Sequence, residues 1–235
     1  YRFGFTGTLD GSKTHKWVLE GLFGDCERVT KTDDLIKEGY LSKFRIKVLL
    51  CKHAPQHFDT YHDEMEYLVQ HKGRNNLIKN LVKDIDGNTL VLFNYVEKHG
   101  DPLYELINNT VDSARKVFFV HGGTDVEDRE EVRQITEIEN NAIIIASYGT
   151  FSTGINIKRL HNIIFASPSK SRIRNLQSIG RVLRKGEGKD IATLYDIADD
   201  IGGQNYTLKH LNERVNIYND ENFKYEVIRI NLRAN

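Results

Sequence analysis

The sequence predicts an α/β protein in which helices cover both faces of a parallel β-sheet. Five short apolar runs alternate with longer amphipathic segments along most of the chain. The runs are nearly continuous in aliphatic and aromatic residues, which is typical of strands buried on both faces. Four of the five are bounded by Gly, Asn, Asp or Ser, the residues that commonly flank strands. The predicted strands are residues 89–93, 117–120, 142–146, 162–166 and 191–195.

Helices are predicted for three segments between these runs, residues 97–110, 126–138 and 171–183. The connection 146–161 holds Gly149 and Gly154, and we interpret it as a functional loop rather than a helix. Ligands of parallel sheets bind at the carboxyl ends of the strands. We therefore expect the functional site in the loops after Phe93, Val120 and Ala146 and along the helix that begins at Ser171.

The first fifty residues predict the last elements of a preceding domain. They contain a strand over residues 1–5, a second strand over 27–30, a helix over 33–38 with Thr32 as its N-cap, and a strand over 45–50. Residues 58–82 predict one or two helices that lead into the repeating α/β unit.

The composition is that of a globular protein. The 235 residues include 33 basic and 33 acidic side chains, 39% hydrophobic residues and 3 prolines, which excludes disordered and collagen-like classes. This length predicts one large domain or two small ones. No apolar run approaches the roughly 18 residues of a membrane span. The two cysteines, Cys26 and Cys51, are typical of a reducing compartment, so we expect a cytoplasmic protein.

The most informative segment is a basic stretch between residues 170 and 189, where the single acid is Glu187. If residues 177–184 are helical, Gln177, Arg181 and Arg184 lie on one face. Each guanidinium offers a planar fork of donors that matches phosphate oxygens. Gly180 leaves room for a close contact, at a helix-propensity cost of about 1 kcal/mol. The alternative is an ordinary amphipathic helix with solvated arginines.

A second group of side chains has the chemistry of a zinc site. Cys51, His53, His57 and His62 lie within a dozen residues, but their spacing matches no closed structural site, and Pro55 interrupts it. We expect no metal there and interpret the segment as a polar connection followed by a helix. The run His62-Asp63-Glu64 follows no apolar strand, so it predicts acids at the start of a helix rather than a magnesium-binding box.

Five segments, in order along the chain, resemble the motifs of superfamily 2 helicases and translocases. Residues 5–9 (Phe-Thr-Gly-Thr-Leu) resemble motif III, and residues 90–94 (Leu-Val-Leu-Phe-Asn) resemble motif IV. Residues 120–124 (Val-His-Gly-Gly-Thr), followed by Asp128 and Arg129, resemble motif IVa. Residues 146–157 resemble motif V, and residues 177–184 (Gln-x-x-Gly-Arg-x-x-Arg) resemble motif VI.

The resemblance implies a RecA-like parallel sheet that forms the second lobe of such a helicase. Residues 1–50 would be the C-terminal end of the first lobe, and residues 51–235 would be the second lobe with a closing helix. ATP and Mg²⁺ would be bound mainly by the first lobe. The chain contains no Gly-x4-Gly-Lys-Ser/Thr phosphate loop, so we expect no ATP turnover by this polypeptide alone.

The resemblance also assigns roles at the nucleotide. Arg181 and Arg184 would act as arginine fingers on the γ-phosphate, while Gln177 would orient the phosphate or the attacking water. Gly154 and Asn156 would approach the nucleotide, with Asn156 near the ribose. A turn-favouring residue after glycine is the alternative for Asn156.

The nucleic-acid partner implied by the resemblance is DNA, branched or single-stranded, bound by a monomer. The backbone N–H groups of Gly122 and Gly123 and the hydroxyls of Ser147, Thr150 and Thr153 would contact phosphates, with ordinary loop chemistry as the alternative. Thr6 and Thr8 would couple the two lobes, unless they are only strand-forming residues.

The tail over residues 196–226, with His210, Arg214 and Tyr218, resembles the closing helix of the members that process branched DNA. The expected function is therefore the C-terminal part of an ATP-dependent DNA helicase that remodels branched DNA. A nucleic-acid-binding module without the ATPase motor and, less favoured, a metal-dependent regulatory domain are the alternatives.

Overall fold

The computed structural model of the chain describes residues 2–6, 9, 12–153, 157–186 and 189–232. Within these residues, seven strands form one sheet in the order β3-β4-β2-β5-β6-β1-β7, and every neighbouring pair is parallel. The predicted parallel sheet is confirmed. The strands are β1 Lys43–Lys52, β2 Thr89–Phe93, β3 Val117–Val120, β4 Ile143–Ser147, β5 Asn162–Phe165, β6 Ile191–Asp200 and β7 Tyr225–Asn231.

Helices connect these strands and cover the sheet on both sides. In the described part of the chain they are α1 Lys13–Phe23, α2 Thr32–Lys37, α3 Tyr61–Gln70, α4 Lys72–Asp84, α5 Asp101–Asn108, α6 Val126–Ile138, α7 Tyr148–Thr153, α8 Arg172–Val182 and α9 Tyr206–Asp220. A π-helical turn, Val96–Gly100, leads into α5. No helix in these residues is long and apolar enough to span a membrane.

The core has two layers because alternate residues of each strand point to opposite faces. Leu90 and Leu92 of β2 pack with α7, α8 and α9, whereas Val91 and Phe93 pack with α4 and α5. All five residues of β2 are buried. Helix α3 lies across the carboxyl ends of the strands and packs on Ile201, which follows β6. This is the arrangement expected of a sheet covered on both faces.

Two predicted strands near the start of the chain are wrong. Residues 2–5 and 27–30 have no regular structure, and Phe5 and Val29 are 97% and 95% exposed. A strand needs a neighbour for its backbone groups, and apolar composition alone does not supply one. Thr32 does not cap α2, because Lys31 occupies the N-cap and the Thr32 hydroxyl donates to Glu221 (3.0 Å).

Three elements differ from or add to the predicted set. The predicted loop 146–161 contains α7, which begins directly after β4. Helix α1 and strand β7 were not predicted. Strand β7 is parallel to β1 at the edge of the sheet, and Val227 and Ile228 are 49% and 37% exposed.

The predicted domain boundary at residue 50 falls inside β1. This strand pairs with β6 on one side and β7 on the other, so it is part of the same sheet as residues 89–200. Ile36 and Leu41, which precede it, pack on the core, whereas α1 has no buried residue. A boundary at residue 50 would therefore cut this sheet, and the division of the chain into residues 1–50 and 51–235 stays a prediction.

Candidate functional site

Helix α8 presents the predicted polar face to solvent. The Ser171 side chain caps its first turn by accepting from the Arg174 N–H (3.4 Å). Ile179 and Val182 are buried against the sheet, while Gln177 and Gly180 are exposed on the other side. The predicted helix is therefore confirmed as far as Val182, where α8 ends, and Arg184 lies beyond the helix rather than on its face.

Arg181 is half-buried against α7. Its guanidinium donates to the carbonyl oxygen of Phe151 and lies 5.0 Å from the centre of the Phe151 ring. Burial lowers the pKa of Arg181, and the neighbouring Arg184 lowers it further. An arginine titrates so far above neutrality that it stays charged in spite of this shift. Contacts with Phe151 of α7 thus hold the positively charged side chain of Arg181 in place on α8.

The last turn of α8 is held at the amino ends of the strands. Leu41 pairs with Arg184 in an antiparallel bridge, and the Ser42 N–H donates to the Leu183 carbonyl (2.9 Å) just before β1 begins. The Arg184 side chain is exposed there. Because α8 has 11 residues, it is about 16 Å long, and Arg184 lies that far from the carboxyl edge where the helix begins.

Lys189 donates hydrogen bonds to carbonyl groups at the C-terminal end of α8. Its ammonium group donates to the carbonyl oxygens of Val182 and Arg184, the latter at 2.8 Å, and the residue is only 4% exposed. A cation at this position bonds the carbonyl groups that a helix leaves unpaired at its C-terminus. Burial lowers the pKa of Lys189 to about 8.

Replacement of Lys189 by Met is expected to change how stability depends on pH. Between pH 8 and 10.5, the native protein has lost the Lys189 proton, whereas the unfolded chain, with the ordinary pKa of 10.5, retains it. The unfolding free energy of the wild type should therefore rise with pH relative to Lys189→Met, by on the order of 3 kcal/mol across this interval. Denaturant unfolding at successive pH values measures the difference. The exposed Lys83→Met variant is the control. If the difference in unfolding free energy between the wild type and Lys189→Met stays constant with pH, the lowered pKa of Lys189 is contradicted.

The predicted phosphate-binding hydroxyls lie at the opposite, carboxyl edge of the sheet. Ser147 ends β4 and caps α7, because its Oγ accepts from the Thr150 N–H (3.3 Å). The two hydroxyl oxygens are 2.8 Å apart. Thr150 is buried, and the Thr153 side chain lies outside the described part of the structure. These hydroxyls therefore bond to each other at the start of α7.

The glycine loop after β3 is at the same edge. Gly122 and Gly123 are both exposed, and no described atom lies within 4 Å of where a Cβ of Gly122 would be. The Gly123 N–H donates to Nδ1 of His121 (3.1 Å), and the His121 N–H donates to the Thr124 hydroxyl (3.0 Å). Of the two predicted donors, Gly123 is thus engaged within the loop.

Of the remaining predicted residues, Thr6 is the one that the structure describes. Thr6 is exposed in a stretch without regular structure, and Thr8, Gly154 and Asn156 lie outside the described residues. The sequence analysis assigned the arginines to the nucleotide and the glycines and hydroxyls to the phosphates of nucleic acid. The structure places Arg184 at the amino edge and Arg181 against α7, whereas the described hydroxyls and glycines lie at the carboxyl edge.

Two buried ion pairs on β6 were missed by the sequence analysis. Asp196 points to one face of the sheet and is bonded by Arg214 (Nε–Oδ2 2.9 Å) and by the Tyr218 hydroxyl (2.8 Å). Asp199 points to the other face and is bonded by Arg74 (Nε–Oδ1 2.9 Å). Burial alone would raise the pKa of Asp199, but Arg74 and His53 outweigh it and lower the value to about 2. Both acids lie beyond the predicted strand 191–195, because β6 extends to Asp200, and no local pattern indicated that they are buried.

The side chains with zinc-binding chemistry have other partners. His53 Nε2 lies 2.9 Å from Asp199 Oδ1, and burial raises the pKa of the Cys51 thiol to about 12. The described residues hold no group of three or more ligands arranged for a metal ion. The acids Asp63 and Glu64 lie in the first turn of α3 as predicted, and Glu64 also accepts from the Thr207 N–H (2.7 Å) at the start of α9.

Comparison with known proteins supports the motif assignment. Residues 73–186 match the family described as helicase conserved C-terminal domain. The ATP-dependent DNA helicase uvsW of Enterobacteria phage T4 is 34% identical over 254 residues, which covers 99% of this chain and 50% of that helicase. The crystal structure of T4 UvsW matches with a TM-score of 0.68 and 32% identity over 94% of this chain and 46% of that one.

A more distant relative is a putative ATP-dependent RNA helicase of Acanthamoeba polyphaga mimivirus, 31% identical over 132 residues, or 54% of this chain and 23% of that protein. The chain therefore spans about half the length, or less, of the relatives it matches. The resemblance indicated by the five motifs is confirmed. Residues 73–186 belong to the helicase conserved C-terminal domain family, and this sheet has the fold of a second RecA-like helicase lobe.

Proposed function

We propose that this chain is the C-terminal part of an ATP-dependent DNA helicase or translocase that remodels branched DNA. Support comes from the T4 relative, which is named an ATP-dependent DNA helicase and is similar over nearly the whole of this chain. In this proposal, a first lobe binds ATP and Mg²⁺ through its phosphate loop. In the same proposal, this chain brings arginines to the nucleotide and contacts the phosphates of DNA.

The observation that carries the proposal is the open face of α8. Gly180 is exposed in the middle of this helix, and no described atom lies within 4 Å of where its Cβ would be. A glycine in a helix interior costs about 1 kcal/mol relative to alanine. Nothing described in the chain uses the space that it leaves, whereas a nucleotide or a second lobe lying against Gln177 and Arg184 would use it.

The chemistry of this face suits phosphate rather than a metal ion. Its functional groups are the guanidinium groups of Arg181 and Arg184 and the amide of Gln177, which donate hydrogen bonds and, for the arginines, carry positive charge. Positive charge placed at the γ-phosphate stabilises the negative charge that develops in the transition state. Mg²⁺ prefers carboxylate and phosphate oxygens and would therefore be held on the first lobe with the nucleotide. We keep Gly154 and Asn156 as proposed neighbours of the nucleotide.

Helix α7 lies between the proposed DNA edge and Arg181 and offers a route for coupling. It begins with the Ser147–Thr150 hydroxyl pair at the proposed DNA edge, and one residue later the Phe151 carbonyl accepts from Arg181. If α7 shifts as a unit when Ser147 contacts a phosphate, Arg181 shifts with it in this proposal. In the proposed enzyme, this link makes hydrolysis respond to DNA.

The 235-residue chain alone is expected to hydrolyse no ATP above background. When the chain is joined to a lobe that carries a phosphate loop, the polypeptide should hydrolyse ATP, and DNA should accelerate the reaction. Phosphate release with and without DNA measures both. The control is the same polypeptide with the phosphate-loop lysine replaced. Turnover by the chain alone, or no stimulation by DNA in the joined protein, would contradict the proposal.

A nucleic-acid-binding module without a motor is the second candidate function. The observation in its favour is that the sequence contains no phosphate loop. The coding sequence upstream of Tyr1 distinguishes the two candidates. A phosphate loop and an acidic box in the same reading frame support the helicase, and a frame without them supports the binding module.

A further inference from the structure

Three cations lie exposed at the carboxyl edge of the sheet, beside the proposed DNA-contacting start of α7. Lys170 and Arg174 flank the start of α8, and Lys209 lies in the first turn of α9. Within the described residues, none of the three forms an ion pair with a carboxylate. The Arg174 guanidinium lies 5.8 Å from the ring centre of Tyr148, the residue that directly follows Ser147.

Partly exposed rings lie beside these cations. Tyr61, at the start of α3, has its ring centre 5.0 Å from that of His210 and 6.4 Å from that of Tyr206, both on α9. The Lys209 ammonium lies 5.6 Å from the centre of the Tyr206 ring. The Tyr206 hydroxyl donates to the Asp59 carbonyl (2.9 Å), which fixes the ring at the edge.

The topology explains why these groups meet. Helices α3, α8 and α9 follow β1, β5 and β6, which are neighbours in the sheet, so all three helices begin at the same edge. Their N-termini add partial positive charge to that edge. Lys170 is close enough to His210 to lower the pKa of the imidazole, after the larger effects of burial and Arg214. The cations and the rings therefore form one surface.

We propose that this α3–α8–α9 edge, formed by Lys170, Arg174, Lys209, Tyr61, Tyr206 and His210, binds a single nucleic-acid strand that continues from the start of α7. Cations that lack carboxylate partners bind phosphates, and aromatic rings stack on bases of any sequence. That combination fits a single strand better than a duplex, whose bases are already stacked. The proposal rests on the proposed function, because it extends the DNA path beyond the motif residues.

The acids near this edge have their own partners. The Asp63 carboxylate accepts from the Thr60 hydroxyl (2.7 Å), and the Asp59 carboxylate lies 3.4 Å from His57 Nε2. Glu64 is buried and accepts from the Thr207 hydroxyl (2.6 Å). These contacts satisfy hydrogen-bond acceptors of the acids within the chain, while the described carboxylates form no ion pair with Lys170, Arg174 or Lys209.

Binding of a fluorescent mixed-sequence single-stranded DNA oligonucleotide, followed by anisotropy at several salt concentrations, tests the proposal. The triple variant Lys170→Ala, Arg174→Ala, Lys209→Ala should bind more weakly and should lose about 2 from the slope of log affinity against log salt, roughly 0.7 for each phosphate contact. Tyr206→Leu should weaken binding by about 5-fold or more through lost stacking, whereas Tyr206→Phe, which keeps the ring and loses only the hydroxyl that fixes it, should lose less affinity than Tyr206→Leu.

The matched control is Lys83→Ala, which removes an exposed charge from α4 in the layer on the other side of the sheet. This variant should keep both the affinity and the salt slope. Unchanged binding in the triple variant, or an equal loss in Lys83→Ala, would overturn this inference alone. A wild-type chain that binds no single strand would overturn both this inference and the nucleic-acid part of the proposed function.

Discussion

Replacement of Arg181 by Ala is expected to slow DNA-stimulated ATP hydrolysis in the two-lobe enzyme by about 10³- to 10⁵-fold, or roughly 4–7 kcal/mol of activation free energy. Arg184→Ala should have an effect in the same range. The reason is that each guanidinium acts on charge that develops only in the transition state. The affinity for ATP should change little, because the first lobe provides most of the ground-state contacts.

Single-turnover hydrolysis at saturating ATP and DNA measures this effect, and equilibrium titration of a fluorescent nucleotide measures affinity. Arg133→Ala is the matched control, since it removes a guanidinium from α6 that is bonded to Glu130 (2.8 Å) and lies outside the proposed site. It should hydrolyse ATP at the wild-type rate. Near-normal turnover in both Arg181→Ala and Arg184→Ala would contradict the proposal that these two residues act as arginine fingers.

Replacement of Arg214 by Ala is expected to destabilise the fold by about 3–5 kcal/mol. Arg214 is completely buried, and its Nε bonds both oxygens of Asp196, while one terminal nitrogen donates to the Ser169 carbonyl (3.3 Å). Removing the cation leaves a buried carboxylate with the Tyr218 hydroxyl as its described partner. The network also ties α9 to β6 and to the entry of α8, so the loss affects three elements.

Denaturant unfolding of the chain followed by circular dichroism measures this change. The control is Glu213→Ala, the exposed neighbour on the same helix, which should change the unfolding free energy by less than about 0.5 kcal/mol. The double variant Arg214→Met, Asp196→Leu should recover much of the loss, because a buried pair replaced by apolar groups leaves no unpaired charge. A small effect of Arg214→Ala alone would contradict the role of this pair as an anchor.

The sheet could be predicted because its strands are apolar on both faces. β2 is buried at all five positions, and no amphipathic alternation competes with that pattern. Helices α6 and α8 could be predicted because their apolar residues recur at helical spacing. β7 was not predicted, since an edge strand with exposed Val227 and Ile228 has no buried face to impose a pattern. α7 was missed because it is short and contains Gly149, which indicated a loop.

The candidate site was predictable in chemistry but not in geometry. The polar face of α8 followed from its spacing, whereas its far end, at the amino edge beside Leu41, depends on tertiary contacts. Sequence alone also could not show that Ser147 and Thr150 bond to each other, because Ser and Thr cap helices and bind phosphates through the same atoms.

Buried charges were the least predictable feature. Arg74 and Arg214 are completely buried, although charged residues in amphipathic helices are ordinarily interpreted as solvent-facing. Asp196 and Asp199 supply their partners from opposite faces of one strand, which no local pattern reveals. The same difficulty applies to Lys189, whose acceptors are carbonyl groups at the end of another element.

The most direct measurement is a structure of the two-lobe enzyme with DNA and ADP bound to a planar metal-fluoride mimic of the transferring phosphate. The account predicts that guanidinium nitrogens of Arg181 and Arg184 lie within hydrogen-bond distance of the mimic, about 2.7–3.2 Å, with α8 facing the first lobe across Gly180. Guanidinium groups about 10 Å or more from the mimic, with another face of this sheet against the first lobe, would contradict it.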